Sequence, residues 1–500
     1  MKNFLSLLGF DAEKKQTSVR TELVAGVVTF LSMAYILTVN PNQIFGSAGE
    51  YWASAFIATA LGAVVGTLLM AFFAKMPLAQ ASGMGLNSML GGLISGVGGY
   101  GTFTPGQAFM LVFISGLVFL LLSVITVKGK TFRELAFDGM PISVRSAISV
   151  GIGLFIAYIG FQSAGIIIYD GYKQLEFVDF TNWGNQTVNA MKEPWEAAKT
   201  ATVAFAGLFF IAILEKFRVK GSVILGIFGA AVVGIPLGVT DLSILVGNET
   251  VSWKFWNNFA DFFAGDNSVF CSFTDVFTEG FLPEGVSVFK AIMIVITMCM
   301  IDMFDTMGTI VGCCAGSNVL SDENGKPKNY GKIMLSDSIA TCAGAAIGTS
   351  TVTTFVESGS GVSAGGRTGL TAFTTACLFF MAMFATPLFA AIPSAAAASA
   401  LIYVGVLRMK GNIKNVDFTT PINATSAFLT ISIMVLSYSI TTGIGVGMLS
   451  YTIMSSLTYL VELIAASVKK TEKPKWEISV VALIVSALFA IYFFVPVSLF

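Results

Sequence analysis

Asp302 and Asp305 stand three positions apart in a long apolar run, and Glu357 follows inside ThrThrPheValGluSerGlySerGly. A charged side chain at the centre of a bilayer span costs at least about 2.5–3.5 kcal/mol, so carboxylates persist there mainly where they bind something, relay protons or pair. Asp302 and Asp305 are related as i and i+3 and share a helix face. Two carboxylates that close in a desolvated site resist double ionisation, which suits one of them to carry a proton. The chain has no histidine, so proton transfer falls to Asp and Glu, and the usual transition-metal ligand is missing too. The chemistry expected of these residues is binding and movement across a membrane.

The elements that must hold them are membrane spans. Hydrophobic residues make up 55% of the 500, charged residues 11%, and the mean hydropathy is +0.80, outside the range of soluble globular chains. Apolar runs of about 20 residues recur, each long enough to cross roughly 30 Å of hydrocarbon. They are read at 22–41, 52–75, 79–97, 105–127, 142–168, 198–215 and 220–240, and again at 285–311, 333–349, 352–364, 367–390, 393–409, 425–441 and 442–466. An apolar segment at 477–497 is left open between a further span and an interfacial helix. The segments 79–97 and 352–364 are rich in Gly and Ser and read as broken. With a cytoplasmic N-terminus, 23 of the 28 Lys and Arg fall on the inside, Arg408 among them, whereas the outside loop 241–284 carries seven acids and one Lys. A net charge of −1 offers no basic surface for nucleic acid. Met1 to Arg20 is too polar for a signal peptide. Cys271, Cys299, Cys313, Cys314, Cys342 and Cys377 form no CxxC, so no disulfide framework, metal or cofactor is expected.

The halves repeat. Ile57–Thr67 matches Ile339–Thr349 at seven of eleven positions, and a Gly-rich broken segment follows each, setting Asn87 opposite Glu357. Met140-Pro141 and Ile392-Pro393 then open the fifth span of each half. An odd number of spans per repeat forces the second copy to insert upside down, an architecture that places a solute site where broken helices meet near the midplane. The fold expected is all-α and polytopic, with 14 transmembrane segments in two inverted seven-span repeats. Its divisions are a cytoplasmic N-terminus 1–21, a first repeat 22–240, an outside loop 241–284, a second repeat 285–466, and a basic linker with the extra apolar segment at 467–500.

AspMetPheAspThrMetGlyThr (302–309), GlyMetGlyLeuAsn (83–87), MetAlaTyrIleLeuThrValAsnProAsn (33–42) and ThrThrPheValGluSerGlySerGlyValSerAlaGlyGlyArgThrGly (353–369) carry a resemblance. The chain resembles the AzgA-like purine permeases, a branch of the nucleobase-cation symporter and nucleobase-ascorbate transporter superfamily. The resemblance implies a core domain from spans 1–4 and 8–11 and a gate domain from spans 5–7 and 12–14. It also implies proton-coupled uptake of hypoxanthine, guanine or adenine by alternating access, often by a homodimer, in a multi-pass protein of the plasma (cell inner) membrane. Glu357, Asp302, Asn87, Phe355, Val356 and Ser358 are the substrate-binding candidates it suggests, and Asp305 with Asp302 the proton-coupling ones. Thr309 falls where uracil permeases have a histidine, and with Asp337 it is an accessory candidate. Asp337 lies near the inside mouth of its span, where helix capping is the competing role.

The residues support a planar base on their own account. Guanine presents N1-H and N2-H2 side by side, which one carboxylate accepts in a forked geometry. Phe355 could stack on the ring, with core packing as its other reading. Arg145 and Arg367 read as cytoplasmic anchors. The alternatives are the same fold carrying xanthine, uracil or another small planar or anionic solute, and, more remotely, an intramembrane enzyme. GlyAsnGlnThr (Asn185) and GlyAsnGluThr (Asn248) fit glycosylation sequons.

Overall fold

The computed structural model describes residues 17–46, 50–96, 102–127, 130–131, 141–168, 175–181, 183, 196–246, 253, 255–264, 268–314, 319–321, 327–469, 472, 474–476 and 478–494. Residues 1–16 of the N-terminal segment and both sequons, Asn185 and Asn248, lie outside them.

The first repeat begins with α1 (Val19–Met33) and α2 (Ile36–Phe45), which share one span interrupted at Ala34-Tyr35. It continues through α3 (Trp52–Leu69), β1 (Gln80–Ser82), α4 (Met84–Ser95), α5 (Pro105–Val124), α6 (Ile142–Ser163), α7 (Ala197–Lys216) and α8 (Ser222–Gly234). After a connecting helix, α9 (Phe255–Ala264), the second repeat runs α10 (Val288–Cys314), α11 (Tyr330–Ile347), β2 (Val352–Thr354), α12 (Ser358–Ser363), α13 (Gly369–Ala382), α14 (Ser394–Asn412), α15 (Pro421–Leu436) and α16 (Ile440–Lys469). The start signals are local. Thr104 and Gln107 form a capping box around Pro105 at the head of α5, and Thr420 caps α15 ahead of Pro421.

The two Gly- and Ser-rich segments are broken as expected, and their extended parts pair antiparallel: Gln80 with Thr354, Ala81 with Thr353, Ser82 with Val352. Backbone polar groups at membrane depth must find partners inside the protein. Each strand supplies them to the other, and Gly83 N–H to Thr351 O (2.9 Å) and Phe355 N–H to Ala79 O (3.1 Å) extend the ladder. The repeated Ile-Ala-Thr stretch provides the room. A Cβ on Gly66 would lie 2.7 Å from Val352 Cγ1, and one on Gly344 would lie 2.6 Å from Val352 Cγ2. Glycines on α3 and α11 therefore let both helices close on the strand crossing, as small residues do in membrane bundles.

Packing separates two groups of helices. In one, α13 lies on α1 and α3, α11 on α3 and α5, α10 on α5, and α12 on α1. In the other, α14 lies on α6, α7 and α8, and α15 on α6 and α16. Contacts between the groups are thinner and run through α14 with α2, α10 with α6, and α4 with α6. Within the second group α6 and α14 approach so closely that a Cβ on Gly405 would sit 2.5 Å from the Gly153 carbonyl oxygen. The C-terminal α17 (Val480–Phe494) lies along α16, where Ser486 bonds Thr452 (2.7 Å) and the Met448 carbonyl (3.2 Å). Its 15 residues span about 22 Å, short of a hydrocarbon core of about 30 Å.

Candidate functional site

Glu357 sits between β2 and α12, at the break of its span, and is 7% exposed. Tyr35, at the interruption between α1 and α2 and wholly buried, donates its phenolic O–H to Glu357 Oε1 at 2.6 Å. Among the described residues Oε2 of the same carboxylate has no hydrogen-bond partner, although it is buried. The carboxylate is therefore oriented through one oxygen and can still accept through the other. The residues around it build the break. Ser358 Oγ accepts from Ala79 N–H (3.0 Å), the Val356 carbonyl accepts from Cys313 Sγ (3.4 Å), and the Phe355 ring is packed in the apolar core.

Asp305 reaches out of α10 to the other packing group. Both of its oxygens accept from the guanidinium of Arg408 on α14, Nη1 to Oδ1 and, at 3.1 Å, Nη2 to Oδ2. The side chains are 5% and 10% exposed, so this pair is dry and two-pronged, the geometry in which an arginine–carboxylate contact is strongest. Arg408, expected in a cytoplasmic loop, is thus corrected to a helical, largely buried position. Glu357, Tyr35, Asp305 and Arg408 lie within electrostatic reach of one another.

Asp302 turns elsewhere. It is 1% exposed and accepts from Thr341 Oγ1 on α11 at 3.4 Å. Thr341 occupies the repeat position of Thr59, whose hydroxyl accepts from Asn40 Nδ2 at 2.7 Å. The first span is tied to the second, and the eighth to the ninth, through equivalent threonines, Thr59 accepting and Thr341 donating. The expectation that Asp302 and Asp305 form one close carboxylate pair is corrected accordingly. Three residues advance an α-helix by 300°, and the residual 60° directs the two carboxylates to different helices.

Asn87 is fully buried and accepts from Ser350 Oγ; its Nδ2 has no partner among the described residues. It neighbours a second polar cluster in which Ser82 and Thr349 bond at 2.6 Å and Asn40 Nδ2 donates to Thr349 at 3.0 Å. An antiparallel crossing sends the chain away in opposite directions after Ser82 and after Thr354. Asn87 and Glu357 consequently leave opposite ends of it, which corrects the expectation that they face each other. Asp337 is no helix cap: buried in the second turn of α11, it accepts from Thr306 Oγ1 (2.7 Å) and Gln80 Nε2 (3.0 Å), joining α10 and β1. Thr309 is buried about one turn beyond Asp305.

Sequence reasoning missed three residues. Tyr35 lay inside a quoted motif with no role given to it, and Arg408 was counted only as a charge. Glu22 is the third: fully buried, it accepts from Arg367 N–H (2.8 Å), Thr368 N–H (3.2 Å), Thr368 Oγ1 (2.9 Å) and Thr371 Oγ1 (2.6 Å). A carboxylate at the head of α13 satisfies the N–H groups of the two residues that lead into the helix and complements the helix dipole. The Arg367 guanidinium is occupied by the Val362 (2.5 Å) and Gly366 (2.7 Å) carbonyls.

A cavity of about 770 Å³ opens between the packing groups, lined among others by Gln43, Ser88, Ser163, Ser394, Leu401 and Tyr438. The carboxylates are not in its wall. No group of three His, Cys, Asp or Glu among the described residues could hold a metal.

Spans broken at membrane depth, here around paired strands, are a recurrent feature of solute carriers. A family signature described as "Permease family" matches residues 20–446. The chain belongs to this permease family. It is a transport protein and not an enzyme. The permease is 34% identical over 451 residues to the guanine/hypoxanthine permease PbuO of Bacillus subtilis, covering 89% of this chain and 94% of the relative. It is 33% identical over 446 residues to the adenine permease AdeP of Escherichia coli, covering 89% of each chain. Among solved structures, the transmembrane domain of the cyanobacterial bicarbonate transporter BicA aligns with a TM-score of 0.56 at 14% identity, over 85% of this permease and 96% of that domain. That likeness shows a shared fold, the inverted-repeat transporter architecture.

Proposed function

We propose that this permease takes up purine nucleobases, namely hypoxanthine, guanine or adenine, in symport with protons by alternating access. The observation that carries this reading is Glu357, fixed by Tyr35 through Oε1 while buried Oε2 remains able to accept from a ligand. A carboxylate so disposed suits the N–H edge of a purine, whose donors it accepts in charge-assisted bonds. The relatives named as guanine/hypoxanthine and adenine permeases support the same class. The packing group that carries Glu357, Asp302 and Asp305 acts as the core domain, and the group built on α6 and α14 as the gate. Phe355, Val356 and Ser358 shape the site around Glu357. Thr309 and Asp337 are accessory to it.

In this reading the N-terminus is cytoplasmic, so the cavity beside Ser163, Ser394 and Tyr438 opens outward. The protein lies in the plasma (cell inner) membrane as a homodimer. Asp305, or Asp302, takes the coupled proton. Binding to the purified permease tests the cargo: hypoxanthine, guanine or adenine should raise its thermal stability in wild type and lose that effect in Glu357→Gln, whereas uracil and xanthine should do neither. Equal stabilisation of the two proteins by all five bases would remove Glu357 from the site.

A further inference from the structure

Arg408 is the one cation in the electrostatic neighbourhood of Tyr35, Asp305 and Glu357 among the described residues, and it comes from the opposite packing group. Its position along α14 is informative. Ser394, Ala397, Ala398 and Leu401 of that helix line the outer cavity. Arg408 lies seven residues beyond Leu401, about 10 Å further along the axis at 1.5 Å per residue. The ion pair with Asp305 therefore sits below the floor of the cavity and bridges α10 and α14 where the cavity ends. A Cβ on Gly153 would lie 3.0 Å from Arg408 Cβ, so α6 backs the arginine closely and aims it at α10. A bidentate, nearly dry ion pair is costly to split while both charges remain, because each would be left buried and unpaired.

We propose that Arg408 is a positioning residue of the transport cycle: its ion pair with Asp305 latches α14 to α10 and holds the permease in the conformation whose cavity faces outward. When Asp305 takes up a proton, the carboxylate becomes a neutral acid, the guanidinium keeps its charge, and the pair loses its electrostatic hold. α14 is then free to move away from α10. Glu357, whose Oε2 has no hydrogen-bond partner among the described residues, is the anion left within reach of Arg408. This deepens the proton-symport reading and rests on it for the source of the proton. The latch itself requires only the pair.

The test uses a reporter in the cavity wall that needs no substrate. Ser163, half-buried on α6, is replaced by Cys in a background in which exposed Cys377 is Ser, and maleimide labelling is timed on the purified full-length protein. Asp305→Asn and Arg408→Gln should each slow labelling about tenfold or more, since either removes the latch and depopulates the cavity-open state. The two together should do no more than one alone. The exchanged pair Asp305→Arg with Arg408→Asp should recover labelling toward wild type, which guards against a variant that is merely misfolded. Labelling unchanged in both single variants, or effects of the two that add, would overturn the proposal. Uptake is read in parallel. If labelling follows the expectation while the wild type accumulates no purine with a proton gradient, the symport reading fails and the latch stands.

Discussion

Removing one hydroxyl should weaken the binding of a base that it never touches. Tyr35→Phe deletes the O–H that donates to Glu357 Oε1 at 2.6 Å and leaves the ring in place. Both groups are buried, Tyr35 at 0% and Glu357 at 7% exposure, so water cannot readily replace the lost donor. A hydrogen bond to a charged partner contributes about 1.5–3 kcal/mol, and tenfold in affinity corresponds to about 1.4 kcal/mol. If the orientation of Glu357 is what the base meets, Tyr35→Phe should raise the apparent KM for purine uptake roughly 10- to 150-fold. Expression and membrane insertion should persist, because the phenol is at a helix interruption and the ring still fills its place. The assay is the concentration dependence of labelled hypoxanthine, guanine and adenine uptake in wild type, Tyr35→Phe, Glu357→Gln and the double variant. Because the two residues share one bond, the double variant should fall well short of the sum of the single effects. A Tyr35→Phe permease with wild-type KM for every purine it carries would refute the argument that Tyr35 sets the carboxylate.

Three other outcomes follow from the same structure. Glu357→Gln should lose most transport while the protein still folds and inserts, checked by uptake beside size-exclusion of the purified variant. Glu22→Ala should lower thermal stability by the equivalent of about 3 kcal/mol or more, since it strands the N–H and O–H donors of Arg367, Thr368 and Thr371; Glu22→Gln, which keeps an acceptor, should cost less. Gly405→Ala should destabilise by about 1–3 kcal/mol, because its Cβ would meet the Gly153 carbonyl at 2.5 Å, and thermal denaturation in detergent reads it directly.

Much of the architecture is written in local composition. Apolar length marks the spans, the odd count per repeat dictates inversion, and Gly and Ser density at 79–97 and 352–364 marks the breaks that became paired strands. The repeated Ile-Ala-Thr stretch is legible too, and the structure gives it a purpose in Gly66 and Gly344 beside Val352. The site is legible only in part, because side-chain identity says which groups cost energy in a membrane and says little about who satisfies them. Asp305 stood out as an anomaly, but its partner Arg408 lies about a hundred residues away on a helix end where a cation looked routine. Tyr35 is one aromatic within an apolar span, and nothing in its neighbours foretells the interruption at Ala34-Tyr35. Asn87 was placed opposite Glu357 by alignment of the repeats. Alignment conveys equivalence and not proximity, and an antiparallel crossing separates equivalent residues that lie beyond its ends.

The central claim is proton-driven purine transport through a site built on Glu357. Its most direct measurement is uptake of labelled hypoxanthine, guanine and adenine, with uracil and xanthine alongside, by cells or proteoliposomes containing the permease at two external pH values. The account predicts that at least one of the three purines accumulates faster at the lower pH and that a protonophore abolishes the accumulation. Uptake of none of them, or uptake indifferent to the proton gradient, would contradict it.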